Sequence, residues 1–149
     1  MYNTRSFIKL PLTYCFVFGL VMTLLVLSSG TVYGEWMLVD TDDRRGMTLY
    51  VDPATISREA NLVEMWALED FTTTQTATGV SYLSRKVQSA YHCTNKLRRM
   101  LWVKEFSGNM GSGKVVYVYS YLFSTGAEWL PVQPASASET LWNVACGKK

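Results

Sequence analysis

The side chains with the most chemical potential are few: His92, the only histidine, its neighbour Cys93, and two further cysteines, Cys15 and Cys146. Nucleophilic catalysis by a Ser-His or Cys-His pair would have to use the His92 imidazole. On an extended chain, adjacent residues point to opposite faces, so His92 and Cys93 would not share a site. A zinc site needs more ligands than one histidine and a widely spaced cysteine pair supply, and a thioredoxin-like pair would be spaced C-x-x-C. Acidic residues are scattered, and none pair in a way that suggests glycosidase chemistry. The chain is therefore expected not to be an enzyme and to hold no metal or cofactor.

Residues Gly108 to Lys114 satisfy G-x-x-x-x-G-K, the phosphate-cradling pattern. That pattern requires a magnesium-binding Ser or Thr next and then a helix, whereas Val115 and a Val-Val-Tyr-Val-Tyr run follow. A glycine turn between strands is the better reading. Lys96-Leu97-Arg98-Arg99 is the one local basic cluster. It is either a solvated edge or a site attracting an acidic partner, such as a glycosaminoglycan or an acidic protein surface. Lys96, Arg98 and Arg99 are the candidate ligand-binding residues, joined by Arg85 and Lys86 if the two segments form a hairpin. Tyr117, Tyr119 and Tyr121 form an aromatic stripe, expected to be core beneath a helix, with an exposed recognition face as the alternative.

The elements that must position these residues follow from periodicity. Trp36 to Asp40 and Met47 to Val51, separated by Thr41 to Gly46, predict a hairpin. Asn61 to Phe71 reads as a strand with two mostly apolar faces, Leu62, Trp66 and Leu68 on one parity and Val63, Met65, Ala67 and Phe71 on the other. The Thr-rich stretch Thr72 to Gly79 reads as a loop. From Val80 to Cys93, Leu83, Val87, Tyr91 and Cys93 are expected on a buried face, opposite Ser84, Lys86, Gln88 and His92. Asn95 to Phe106 predicts a further strand. Lys114 to Phe123, apolar on both faces, predicts a central strand. Ser136-Ala-Ser-Glu139 has the S-x-x-E form of a capping box, predicting a helix over about residues 137–145 with Leu141, Val144 and Ala145 on one side and Gly147 as its C-cap. About six antiparallel strands and one C-terminal helix define an α+β fold.

The first 34 residues read differently. Arg5 and Lys9 precede an uncharged run from Leu10 to Leu27 and then small residues ending at Gly34. This is the order of a secretory signal peptide, with cleavage expected after Gly34 and Gly30 as the alternative. An uncleaved anchor is the rival reading, but Pro11, Thr13, Gly19 and Thr23 weaken the apolar run and no basic stop-transfer group follows it. Cys15 lies at the start of that run, the wrong place for a lipidated cysteine.

Removing residues 1–34 also removes Arg5 and Lys9, so the 14 basic and 12 acidic residues of the whole chain become equal numbers in residues 35–149, read as one mature domain. A neutral domain lacks the basic footprint that nucleic-acid binding requires. It also leaves Cys93 and Cys146 as the only thiols, and export to an oxidising compartment predicts a disulfide between them. With Cys93 at a strand end and Cys146 at the helix end, that bridge would tie the helix to the sheet.

The order of weak motifs along the mature chain resembles the surface-adhesin protein E family of Gram-negative bacteria. The likeness is carried by Trp36, Tyr50-Val51-Asp52-Pro53-Ala54-Thr55-Ile56, Asn61 to Trp66, Ser81-Tyr82-Leu83-Ser84, and Tyr91-His92-Cys93 leading to Arg98-Arg99. It continues through Ser107 to Gly113, Trp129 to Pro134, and Cys146. The resemblance implies a six-stranded antiparallel sheet with a C-terminal helix tethered across it by a disulfide, and placement in the periplasm or at the cell surface. For the adhesin itself it implies binding to host matrix and serum proteins such as vitronectin, laminin and plasminogen. The chain departs from a lipid-anchored surface protein in lacking a lipidation cysteine, and fold transfers more readily than adhesion. The expected function is a non-enzymatic exported binding module with a protein partner and no membrane span once the signal is cleaved. The alternative is a structural or accessory periplasmic protein acting through self-association, as a homodimer, or through an envelope partner.

Overall fold

The structure, a computed structural model, describes residues 35–77, 79–122 and 128–147. The expected signal peptide and Phe123 lie outside the described residues. The strands are β1 (Met37–Asp42), β2 (Met47–Val51), β3 (Ser57–Glu59), β4 (Leu62–Ala77), β5 (Val80–His92), β6 (Leu97–Phe106), β7 (Val115–Ser120) and β8 (Leu130–Pro131), followed by one helix, α1 (Ala137–Cys146). They form an antiparallel sheet with the continuous order β1-β2-β4-β5-β6-β7. β3 pairs with the start of β4, and the two-residue β8 pairs with the start of β6. The long strands β4, β5 and β6 therefore make the centre.

Sheet pleating sorts each strand into two faces. On one face Leu49, Val51, Val63, Met65, Ala67 and Tyr91 are buried against Leu141, Trp142 and Ala145 of α1. Burying side chains of this size stabilises the fold by roughly 1.5–3 kcal/mol each. The helix begins where Ser136 Oγ accepts the Glu139 N–H, and it ends at Gly147, whose backbone is left-handed (φ 66°) and whose N–H reaches back to the last turn. Glu139 closes the other half of the cap by accepting from the Ala135 N–H at 2.8 Å. The Cys93–Cys146 disulfide, with Cα atoms 5.5 Å apart, ties the end of α1 to the residue after β5. The expected α+β fold, hairpin, capped helix and bridge are all present, with Trp142 as an additional buried anchor on the helix.

Several expectations are corrected. Thr72 to Ala77 is strand and not loop: threonine is β-branched and suits an extended backbone, and Gln75, Thr76 and Ala77 pair with Tyr82, Ser81 and Val80. Tyr82 is buried against Met47 and Phe71, and Ser84 beneath the Gly108 to Gly111 turn, whereas Leu83 is only half-buried. β7 is an edge strand and not a central one, because no described strand flanks its far side. Val115, Val118 and Tyr119 are exposed accordingly. The tyrosine stripe is thus not core beneath the helix; α1 packs over β1, β4 and β5. Tyr117 and Tyr119 instead stack at 6.4 Å, and Tyr119 meets Tyr121 edge-on at 4.7 Å.

Candidate functional site

β5 and β6 do form a hairpin, and its register decides what becomes of the basic cluster. Arg98 lies opposite Tyr91 and Arg99 opposite Ala90, whereas Arg85 and Lys86 lie opposite Glu105 and Lys104 at the far end. Arg85 and Lys86 therefore do not join Lys96, Arg98 and Arg99; Arg85 is held by Glu69 at 2.7 Å. Within the cluster, the pleat separates neighbours. Lys96, left-handed at φ 52° in the turn, reaches the helix side, where its ammonium pairs with Glu139 and lies 5.5 Å from the Trp142 ring centroid. That hydrogen bond, then the Ala135 N–H, hold the Glu139 carboxyl below its ordinary range. Arg98 shares the helix-side face with Tyr91. Arg99 points to the opposite face, its guanidinium 4.8 Å from the Trp129 ring centroid. Among the described residues neither arginine forms an ion pair.

The face opposite α1 is the distinctive surface of the molecule. One row across it reads Tyr50, Leu68, Lys86, Lys104, Val118; the next reads Trp66, Gln88, Trp102, Ser120; the next Glu64, Ala90, Arg99. Tryptophans and cations alternate, and most of these side chains are partly buried, with Leu68 and Ala90 fully buried among them. Lys86 lies 5.3 Å from the centroids of both Trp36 and Phe106, and Lys104 lies 5.8 Å from that of Trp66. Burial, then the like charge of Lys104, push the Lys86 ammonium below its usual range, against the pull of Asp52. No short sequence motif announces this face, because its residues come from five segments. The usable signal was parity: Lys86, Gln88 and His92 on one strand, and Trp102 with Lys104 on the next.

The tempting motifs have structural roles. The Gly108 to Lys114 segment folds back on the sheet, and most of its amides are already engaged. Met110 N–H donates to Asp70 Oδ1, Gly111 N–H to the buried Ser84 hydroxyl, and Lys114 N–H to Ser107 Oγ. Gly108 and Ser112 N–H groups donate to carbonyls within the turn. Gly111 has a left-handed backbone (φ 69°), which favours glycine there without a phosphate. β7 follows, not a helix. His92 accepts the Asn95 N–H through Nδ1 and meets Trp129 edge-on at 6.1 Å. An open cleft of about 640 Å³ lies between the β1–β2 turn and the start of α1, and three of its four lining carboxylates are engaged: Asp42 with Arg45, Asp40 with Thr140 and Glu139 with Lys96.

On the helix-side face a partly buried ionic row, Glu69, Arg85 and Glu105, crosses three strands. Glu105 is 3% exposed, and burial pushes its carboxyl up against the pull of Arg85. No helix among the described residues is long and apolar enough to cross a membrane.

Known proteins bear on this geometry in two ways. Crystal structures of Haemophilus influenzae protein E share the fold. Crystal form II superposes with a TM-score of 0.53 at 13% identity, covering 76% of this chain and 96% of that one. A second structure gives 0.52 at 12% identity over 80% and 88%. No curated protein matches the sequence. The family model described as Surface-adhesin protein E matches residues 36–147, from the aromatic side chain that sits over Lys86 to the glycine that caps the helix. With the sheet, the tethering bridge and this match in hand, the chain belongs to the surface-adhesin protein E family.

Proposed function

We propose that this protein is a non-enzymatic binding module of a bacterial envelope, exported by residues 1–34 and matured to a domain over residues 35–149. Its partner is a protein, a host matrix or serum protein or an envelope component, attracted at the turn end of the β5–β6 hairpin by Lys96, Arg98 and Arg99. The observation that carries the reading is family membership together with this placement. Arg98 and Arg99 stand near the sheet's end without carboxylate partners among the described residues, so their charge is available. Lys96, engaged with Glu139, contributes by fixing the turn against α1. Biolayer interferometry on immobilised vitronectin and laminin tests it. A K96A/R98A/R99A variant should bind about tenfold or more weakly, since each desolvated cation at such a contact is worth about 1–2 kcal/mol. Unchanged binding removes the cluster from the function.

A second reading, self-association, rests on the exposed apolar edge of β7, where Val115 and Val118 are about half exposed (53% and 49%). Unpaired edges of this kind template strand addition. Sedimentation velocity distinguishes the two readings: a concentration-dependent dimer abolished by Val118→Lys supports self-association, and a strict monomer rejects it.

A further inference from the structure

The structure points to a second ligand, of different chemistry and on a different surface: we infer that the sheet face opposite α1 binds a sulfated linear polysaccharide, Trp66 and Trp102 stacking on its sugar rings and Lys86, Lys104 and Arg99 receiving its sulfate groups. This site shares Arg99 with the protein-binding reading and otherwise rests on the sheet face and not on the hairpin turn.

Trp66 and Trp102 occupy one row, separated only by Gln88 on the strand between them. Two inter-strand spacings put their backbone positions about 10 Å apart on a single face. Two half-exposed indoles at that separation can each stack on the apolar face of a pyranose within one linear chain. Gln88 between them offers amide hydrogen-bonding groups, and its Nε2 donates to Glu64 Oε2 at 3.3 Å.

The charges argue for an anionic chain. Lys86 and Lys104 stand directly opposite each other in register, an arrangement that disfavours the sheet by itself. Among the described residues neither has a carboxylate in ion-pair contact. Each rests on aromatic faces, Lys86 on Trp36 and Phe106 and Lys104 on Trp66, which orients an ammonium without neutralising it. Arg99, its plane fixed on Trp129, adds a third cation on the same face. The nearby acids make neutral hydrogen bonds and no ion pair with these cations: Glu64 accepts from Gln88, Asp70 from the Met110 N–H and the Asn109 side-chain amide, and Asp52 from the Ala54 N–H. Cations beside sugar-stacking rings are complementary to sulfate esters spaced along a glycan. A neutral glycan would leave the lysine pair unused, and a flexible acidic peptide would leave the indole pair unused.

The test uses the full chain, expressed with its own first 34 residues and purified as the cell matures it. Isothermal titration compares a heparin octasaccharide with the same oligosaccharide after desulfation, a neutral cello-oligosaccharide, and a single-stranded oligonucleotide of equal charge. Saturable binding of the heparin octasaccharide is expected, with intrinsic tryptophan fluorescence changing as the indoles are covered. Desulfation, K86Q/K104Q and Trp102→Leu should each weaken it about tenfold or more, while K96A/R98A leaves it unchanged. Thermal unfolding checks that the variants fold, and the lysine pair variant should be no less stable than the parent because a like-charge contact is relieved. Absence of binding overturns the inference. So does equal affinity for the desulfated, neutral or oligonucleotide probe, or a folded K86Q/K104Q protein that binds as the parent does.

Discussion

Cys93 and Cys146 close a loop with a sequence separation of 53, long enough that in the chain-entropy account the link restricts the unfolded chain by about 4 kcal/mol. Cys146→Ser should therefore lower the unfolding free energy by about 2–4 kcal/mol in urea, with dithiothreitol lowering the parent similarly and the variant hardly at all. Tyr91 makes a different demand. Its side chain is fully buried under α1, and burial, opposed by Arg98, pushes its phenol up to about 12 from 10.0. Between those values the folded chain keeps a proton that the unfolded chain has released, so this group's stabilisation is complete below pH 10 and is lost as pH rises towards 12. Tyr91→Phe should flatten the alkaline fall in stability above pH 10, measured as urea midpoints at successive pH values. Glu105, with its carboxyl raised by burial, has the same sign at the acid end: its protonated form suits the fold, so stability from this group falls as pH rises from the ordinary value of 4.5. Glu105→Gln should then equal or exceed the parent in stability at neutral pH, with the difference disappearing in acid.

At the scale of elements, the parts that local chemistry determines were legible and the parts that pairing determines were not. The α1 helix carries both its signals in sequence, Ser136 at its start and Gly147 beyond its end, and both act as expected. Ser136→Ala should cost about 1 kcal/mol through the lost cap, and Gly147→Ala about 1 kcal/mol because alanine is strained in the left-handed backbone that glycine adopts there. Both are read from urea midpoints, and additivity is expected since one acts at each end. β7 shows the opposite case. A run apolar on both faces is what a central strand looks like, yet chain order makes β4, β5, β6 and β7 a meander, and the only later strand described, β8, pairs with β6. The Thr72 to Ala77 stretch looks like a loop by its polarity, yet its β-branched threonines and its partners on β5 extend it as strand. The basic cluster was visible as a run, but the pleat sends Arg98 and Arg99 to opposite faces. The tryptophan and lysine face was invisible as a motif because only the register of β4, β5 and β6 assembles it.

For the whole molecule, charge is the property that links sequence to binding. The net +2 of the chain is carried entirely by Arg5 and Lys9, so residues 35–149 have no net charge with which to attract polyanions from a distance. Any anionic ligand must be held by a local set of cations, and on the sheet face that set is Lys86, Lys104 and Arg99. A site of three cations makes a quantitative demand on salt dependence. If each releases one counterion's worth of charge, the logarithm of affinity for the heparin octasaccharide should fall with the logarithm of salt concentration with a slope of about 2 to 3. Between about 50 and 200 mM salt that is a loss of roughly 16- to 64-fold. K86Q/K104Q should reduce the slope to about 1 and the loss to roughly threefold. A chain that retains residues 1–34 adds Arg5 and Lys9 to the field, and a much steeper slope would place the binding charge there instead of on the sheet. The slope and the variant together decide between a generic basic leader and a built face, because only the built face couples the loss of salt dependence to the loss of the tryptophan signal.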